Sequence, residues 1–84
     1  MRVLLINFER GWRGGERQTL LTALGLQDQG LVPTVLVRQD EPLAQRLRQA
    51  GIPTVECGSV LQAIGYLARR RQEYDIYHAQ TSAA

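Results

Sequence analysis

Val3, Leu4, Leu5 and Ile6 form an unbroken apolar run, the pattern of a strand covered on both faces, as in a parallel sheet. It predicts a strand over about Arg2 to Phe8. Leu20, Leu21 and Leu24 then recur at helical spacing, predicting a helix from near Glu16 to Gln29, with Gly30 in the place a helix C-terminus favours. A second strand is predicted at Thr34-Val35-Leu36-Val37-Arg38, introduced by Pro33. Leu43, Ala44, Leu47 and Ala50 carry the next helical period, with Pro42 in the first turn and Gly51 ending it. Gln45, Arg46, Arg48 and Gln49 make its outer face. A short strand at about Pro53 to Glu56 precedes a third helix whose apolar stripe is Val60, Ile64, Leu67 and Ala68. Tyr74 and Asp75 lead into a fourth strand, Ile76-Tyr77-His78-Ala79.

Strands alternating with helices imply right-handed crossovers and a parallel sheet, so the fold class is α/β, a Rossmann-like three-layer arrangement. In the usual order the chain steps one way from the first strand and then returns, giving 3-2-1-4 and a switch point between strands one and four. The chain has 84 residues, 44% of them hydrophobic, which is enough for one core but short for such a fold. Thr81-Ser82 would suit the N-cap of another helix, and the expectation is that residues 1–84 open a larger protein. Such a piece would leave apolar sheet without cover and is expected to self-associate.

Charge narrows the function classes. The net charge is +2, too small to argue for a nucleic-acid partner, although all ten basic residues are arginine. Arg69-Arg70-Arg71 closes the third helix, where positive charge complements the dipole, and reads as a solvated helix end. Peripheral contact with anionic lipid at the inner membrane face is its alternative. Cys57 is the only cysteine, so no internal disulfide is available, and a packed thiol is expected. The N-terminus is too short in apolar residues for a signal peptide before Asn7 and Glu9, and the expected location is cytoplasmic.

Candidate chemistry gathers at two places. The Arg10-Gly-Trp-Arg-Gly-Gly-Glu-Arg-Gln18 stretch puts Gly14 and Gly15 between a strand and a helix start, where bare backbone amides and the helix dipole suit an anion. A tight turn without a ligand is the other reading. Arg10 and Arg13 flank Trp12, a pairing suited to clamping a phosphate and stacking on a sugar ring. Glu16 complements the helix start and Arg17 does not. At the end of strand four, His78 is the only histidine, and Gln80, two residues on, offers a donor and an acceptor from the same side. His78 is either an active-site group or a ring packed between sheet and helix. No second ligand stands at metal-binding spacing from it.

Taken in order, Met-Arg-Val-Leu-Leu-Ile-Asn, the Gly-Trp-Arg-Gly-Gly-Glu-Arg loop, Leu26-Xaa-Xaa-Gln29-Gly30, Pro42-Leu43-Ala44, Ala50-Gly51-Ile52-Pro53 and Tyr74-Asp75-Ile76-Tyr77-His78-Ala79-Gln80-Thr81-Ser82 resemble the start of glycosyltransferase family 4. The likeness spans essentially the whole chain. It implies the first half of the N-terminal, acceptor-side domain of a GT-B enzyme, with the C-terminal donor-binding domain absent. It further implies a metal-independent, retaining transferase that uses a nucleoside diphosphate sugar as donor and no covalently bound cofactor. The acceptor would be a saccharide or a lipid-linked one, in bacterial surface polysaccharide or lipopolysaccharide assembly. This piece alone should not turn over.

Anchored on Glu16-Arg17, the family's first glycine falls on Arg13, leaving Gly14 and Gly15 to approach the donor. Trp12, Arg13, Glu16, Thr81 and Ser82 join them as binding candidates. The family's His-Xaa-His places its first histidine at His78, while Gln80 replaces the second, so these two are the catalytic candidates. Two other classes compete. One is an oxidoreductase domain of NADP type, whose G-x-G-x-x-G is missing but whose strand two ends in Arg38. The other is a non-catalytic α/β binding module.

Overall fold

A computed structural model of the chain describes residues 1–8 and 14–79, with residues 14–16 described by backbone alone. Four strands and three helices alternate: β1 (Arg2–Asn7), α1 (Gly14–Asp28), β2 (Val32–Arg38), α2 (Pro42–Gln49), β3 (Thr54–Cys57), α3 (Val60–Arg70) and β4 (Ile76–Ala79). The strands make one parallel sheet in the order β3-β2-β1-β4, as the alternation predicts.

Side-chain alternation divides the core in two. Val3, Leu5, Val35 and Val37 face α1 and α2, packing with Ala23, Leu43, Ala44, Leu47 and Ile52. Leu4 and Leu36 face the other way, with Cys57, Ala63 and Tyr74 beneath α3. Pro33 is tolerated inside β2 because its missing donor falls on the β3 side, where pairing starts only at Val35 opposite Thr54. Val32 N–H, one residue earlier, turns to β1 and reaches Met1 O at 3.0 Å.

Two helices end on the same device. Gly30 and Gly51 hold φ of 82° and 75°, the left-handed conformation that costs glycine least. Leu31 N–H reaches Leu26 O and Ile52 N–H reaches Leu47 O, each at 3.0 Å, closing paired Schellman turns whose apolar ends sink into the α1/α2 core. Ala50 lies one residue beyond α2 and is exposed, so it is not part of the buried stripe that the period assigned to it.

The helix faces differ from expectation in two places. In α1 the packing side runs through Thr19, Ala23 and Leu26, with Leu21 and Leu24 exposed. In α3 only Ala63 is buried, Tyr66 and Leu67 are half-buried, and Val60, Ile64 and Ala68 of the predicted stripe are exposed. Small residues let a crossover helix lie close to the sheet, and polar contacts fix its rotation. Thr19 meets Asn7, and Tyr66 shares a 2.6 Å hydroxyl contact with Tyr74. A Ser59 cap, accepting from Gln62 N–H at 3.1 Å, starts α3.

The N-terminal end of the sheet is latched. Arg2 N–H donates to Asp75 Oδ2 at 2.7 Å and Asp75 N–H to Arg2 O at 2.8 Å. Arg2 lies over the Tyr74 ring, Tyr74 and Tyr77 meet edge to face, and Arg70 pairs with Glu73. Burial first, and then the Tyr74 hydroxyl, push the Tyr66 phenol up to about 12. Its unfolded value is about 10. Above that value the unfolded chain loses the proton while the folded chain keeps it, so stability falls as pH rises from about 10 to about 12. An absorbance titration of tyrosinate should show a late step towards about 12, and Tyr66→Phe should remove it. A late step that survives Tyr66→Phe, or a curve that the substitution leaves unchanged, would contradict it.

Candidate functional site

Because the strands are parallel, their carboxyl ends share one edge, and the chain leaves β1 on one side of the sheet only to return as β4 on the other. The switch point therefore lies between β1 and β4, which pair from Val3 opposite Ile76 to Ile6 opposite Ala79. From the β1 side this edge receives Asn7, Phe8 and the start of α1. From the β4 side it receives His78 and Ala79.

Asn7 fixes the first of these. It ends the apolar strand in phase with Val3 and Leu5, so its side chain is buried against α1, where Nδ2 donates to Thr19 Oγ1 at 2.8 Å. A buried amide is held only by such bonds, and this one ties the beginning of α1 to the end of β1. Gly14 and Gly15 open α1 rather than preceding it as a turn. Their backbone is helical, so what glycine supplies there is close access to the first amides of the helix, not an unusual φ. Glu16 follows in the same turn. Trp12 and Arg13, and Arg10 before them, lie outside the described residues.

At β4, His78 opposes Leu5 and is exposed, which removes the reading of a ring packed between sheet and helix. It borders a hollow of about 190 Å³ on the α1 face, lined also by Val3, Leu5, Thr22, Leu26, Leu31 and Ile76. The hollow is nearly all apolar, with Thr22 and the imidazole as its polar groups. An exposed imidazole at its rim can take or give a proton. Gln80, Thr81 and Ser82 lie outside the described residues, so among the strand-four candidates only His78 is positioned by the structure. The hollow itself was hidden in the sequence because three elements, β1, α1 and β4, and the turn at Leu31 build it.

Two other groups bear on the alternatives. Arg38, at the end of β2, lies with its guanidinium 4.2 Å from the centre of the Phe8 ring and its Nε donating to Phe8 O at 3.4 Å, so it bridges the ends of β1 and β2. Cys57 is buried at the end of β3, and burial raises its thiol pKa, keeping it protonated and unreactive as the packed-thiol expectation holds. It borders a second hollow, also of about 190 Å³, with Glu56, Gln62, Tyr66 and Arg69 among its walls. Among the described residues no three His, Cys, Asp or Glu side chains gather as a metal site would require. No described helix is long and apolar enough to cross a membrane.

Searches against family models, curated proteins and solved structures returned no match to this chain.

Proposed function

We propose that the chain is the acceptor-side, N-terminal part of a retaining glycosyltransferase of the GT-B type. It would act in the cytoplasm, taking a glycosyl group from a nucleoside diphosphate sugar to a saccharide or lipid-linked acceptor of bacterial surface polysaccharide or lipopolysaccharide. The observation that carries this reading is the β3-β2-β1-β4 order with β4 paired to β1, which brings the glycine-opened start of α1 and His78 to one edge of the sheet. In this reading the amides of Gly14 and Gly15 face the donor diphosphate or the transferred sugar, and the dipole of α1 favours its negative charge. Arg13 and Trp12 would hold and stack on the ligand, and Gln80 with His78, Thr81 and Ser82 would meet the reacting sugar. The donor's nucleotide would rest on a second Rossmann-like domain.

The reading frame carried past Ala84 is expected to encode that domain, and its product to transfer from one of a panel of nucleoside diphosphate sugars. In that product, Gly14→Val or Gly15→Val should lower turnover at least tenfold, about 1.4 kcal/mol in the barrier. Helical backbone accepts valine with little cost in fold, so melting temperature should hold nearly constant. Full rates in both variants, or no transfer from any donor, would defeat the proposal.

A further inference from the structure

The order β3-β2-β1-β4 leaves β3 with one side unpaired. In a parallel pair the N–H and C=O groups of successive residues turn alternately toward the neighbouring strand and away from it. Val35 N–H reaches Pro53 O at 3.0 Å and Gln39 N–H reaches Cys57 O at 2.9 Å, so Pro53, Val55 and Cys57 turn to β2. Thr54 and Glu56 fall between them. Their backbone donors and acceptors face outward, with no backbone partner among the described residues. Two residues apart, these groups repeat at about 6.6 Å, the spacing that another extended chain matches.

Sheet edges are commonly closed by a covering helix or loop. Here α3 overhangs the edge without filling it: the hollow of about 190 Å³ has Val55, Glu56 and Cys57 on its strand side and Gln62, Tyr66 and Arg69 on its helix side. From Gln62 to Arg69 the helix rises about 10 Å, the length of about three extended residues.

The side chains around this opening say which strand it suits. Glu56 is held by Arg48 and Glu73 by Arg70, and α3 itself contains no acidic residue. Arg69 donates Nε to Gly65 O at 3.4 Å and has no carboxylate partner among the described residues, so it brings unmatched positive charge to the hollow. Gln62 spends Oε1 on Gly58 N–H at 2.7 Å, leaving its NH2 group as a further donor. A free anion would satisfy these donors but leave the outward carbonyls of Thr54 and Glu56 unmet. An extended chain that carries a carboxylate satisfies both.

We infer that the open edge of β3, under the overhang of α3, takes up an extended acidic segment of a partner protein as a fifth strand, its main chain paired with Thr54 and Glu56 and its carboxylate meeting Arg69. A second copy is a poorer occupant, because its own β3 would bring another Arg69 to the edge with only an Arg48-held Glu56 against it. The inference stands apart from the transferase reading, and its test involves no turnover.

The test is an amide NMR titration of the isotope-labelled chain with an end-capped peptide, Thr-Val-Glu-Val-Thr. Beside it run its glutamine counterpart and a version N-methylated at two adjacent residues, so that neither of that peptide's edges can pair. The glutamate peptide should shift the Thr54 and Glu56 amides and slow their hydrogen exchange. It should bind about fourfold tighter than the glutamine peptide, a margin that Arg69→Gln removes and salt reduces. The methylated peptide should bind at least tenfold more weakly, roughly the loss of one or two main-chain bonds. Glu56→Pro deletes an outward donor, leaves the bonds to β2 in place, gives up only the exposed Arg48 pair, and should weaken binding in the same sense. Arg69 is exposed, so Arg69→Gln should keep the parent's melting temperature and tests the charge even where the proline variant disturbs β3. Unmoved Thr54 and Glu56 amides, equal affinity for the methylated peptide, or a glutamate preference that survives Arg69→Gln would overturn the inference. So would shifts at these amides that grow with protein concentration alone, which would make the edge a contact between copies.

Discussion

Leu36→Ala is expected to lower the stability of the chain by about 2–5 kcal/mol, the cost of a cavity in a close-packed core. Leu36 is fully buried at the centre of β2, paired with Ile6 on one side and Val55 on the other, and it faces α3 with Leu4, Cys57, Ala63 and Tyr74. A domain of this size holds only about 4–13 kcal/mol in total, so the substitution takes a large share of it. With a urea dependence of about 1–2 kcal/mol per molar, the midpoint should fall by roughly 2 M. Leu61→Ala removes the same atoms from an exposed place and should change the stability by about 0.5 kcal/mol or less, a midpoint shift of roughly 0.5 M at most. Equal shifts for the two would mean that the α3 layer does not pack as described.

The contrast between those two leucines also marks what the sequence makes legible. Element order and topology follow from local signals: the apolar run at Val3 to Ile6, the glycines that stop α1 and α2, and the alternation that forces parallel crossovers. The direction in which each helix faces does not follow from those signals. Periodicity says that α3 has an apolar side, but the side that packs is chosen by close approach at Ala63 and by the Tyr66–Tyr74 contact, both invisible until β4 is brought back beside β1. In α1 the same holds for Ala23 and Thr19, whose partner Asn7 lies twelve residues away on the strand. Asn7 carried a readable signal, an amide closing an apolar run in phase with its buried face. The candidate site was legible as two segments converging on one edge, because topology alone brings β1 and β4 together. The exposure of His78 was not, since it depends on the hollow that α1 leaves beside β4.

That exposure changes what the two strand-four candidates should do. His78→Ala removes no packed ring, so its melting temperature should match the parent, with a change in stability within about 0.5 kcal/mol. If the edge is the transferase site and Gln80 stands where the family places its second histidine, Gln80→Ala strips hydrogen bonds from the reacting sugar and should cut turnover about a hundredfold in the product of the full reading frame. His78→Ala should cost less, because its imidazole borders an apolar hollow one step back along the strand. Gln80→His, which restores a ring nitrogen at the family's position, should keep or raise turnover. Melting curves and transferase rates on the same preparations separate the outcomes. A silent Gln80→Ala beside a dead but stable His78→Ala would exchange the two roles. Neither change affecting turnover would move the active site away from the β1/β4 edge, leaving the glycine-opened start of α1 as a folding feature of the sheet.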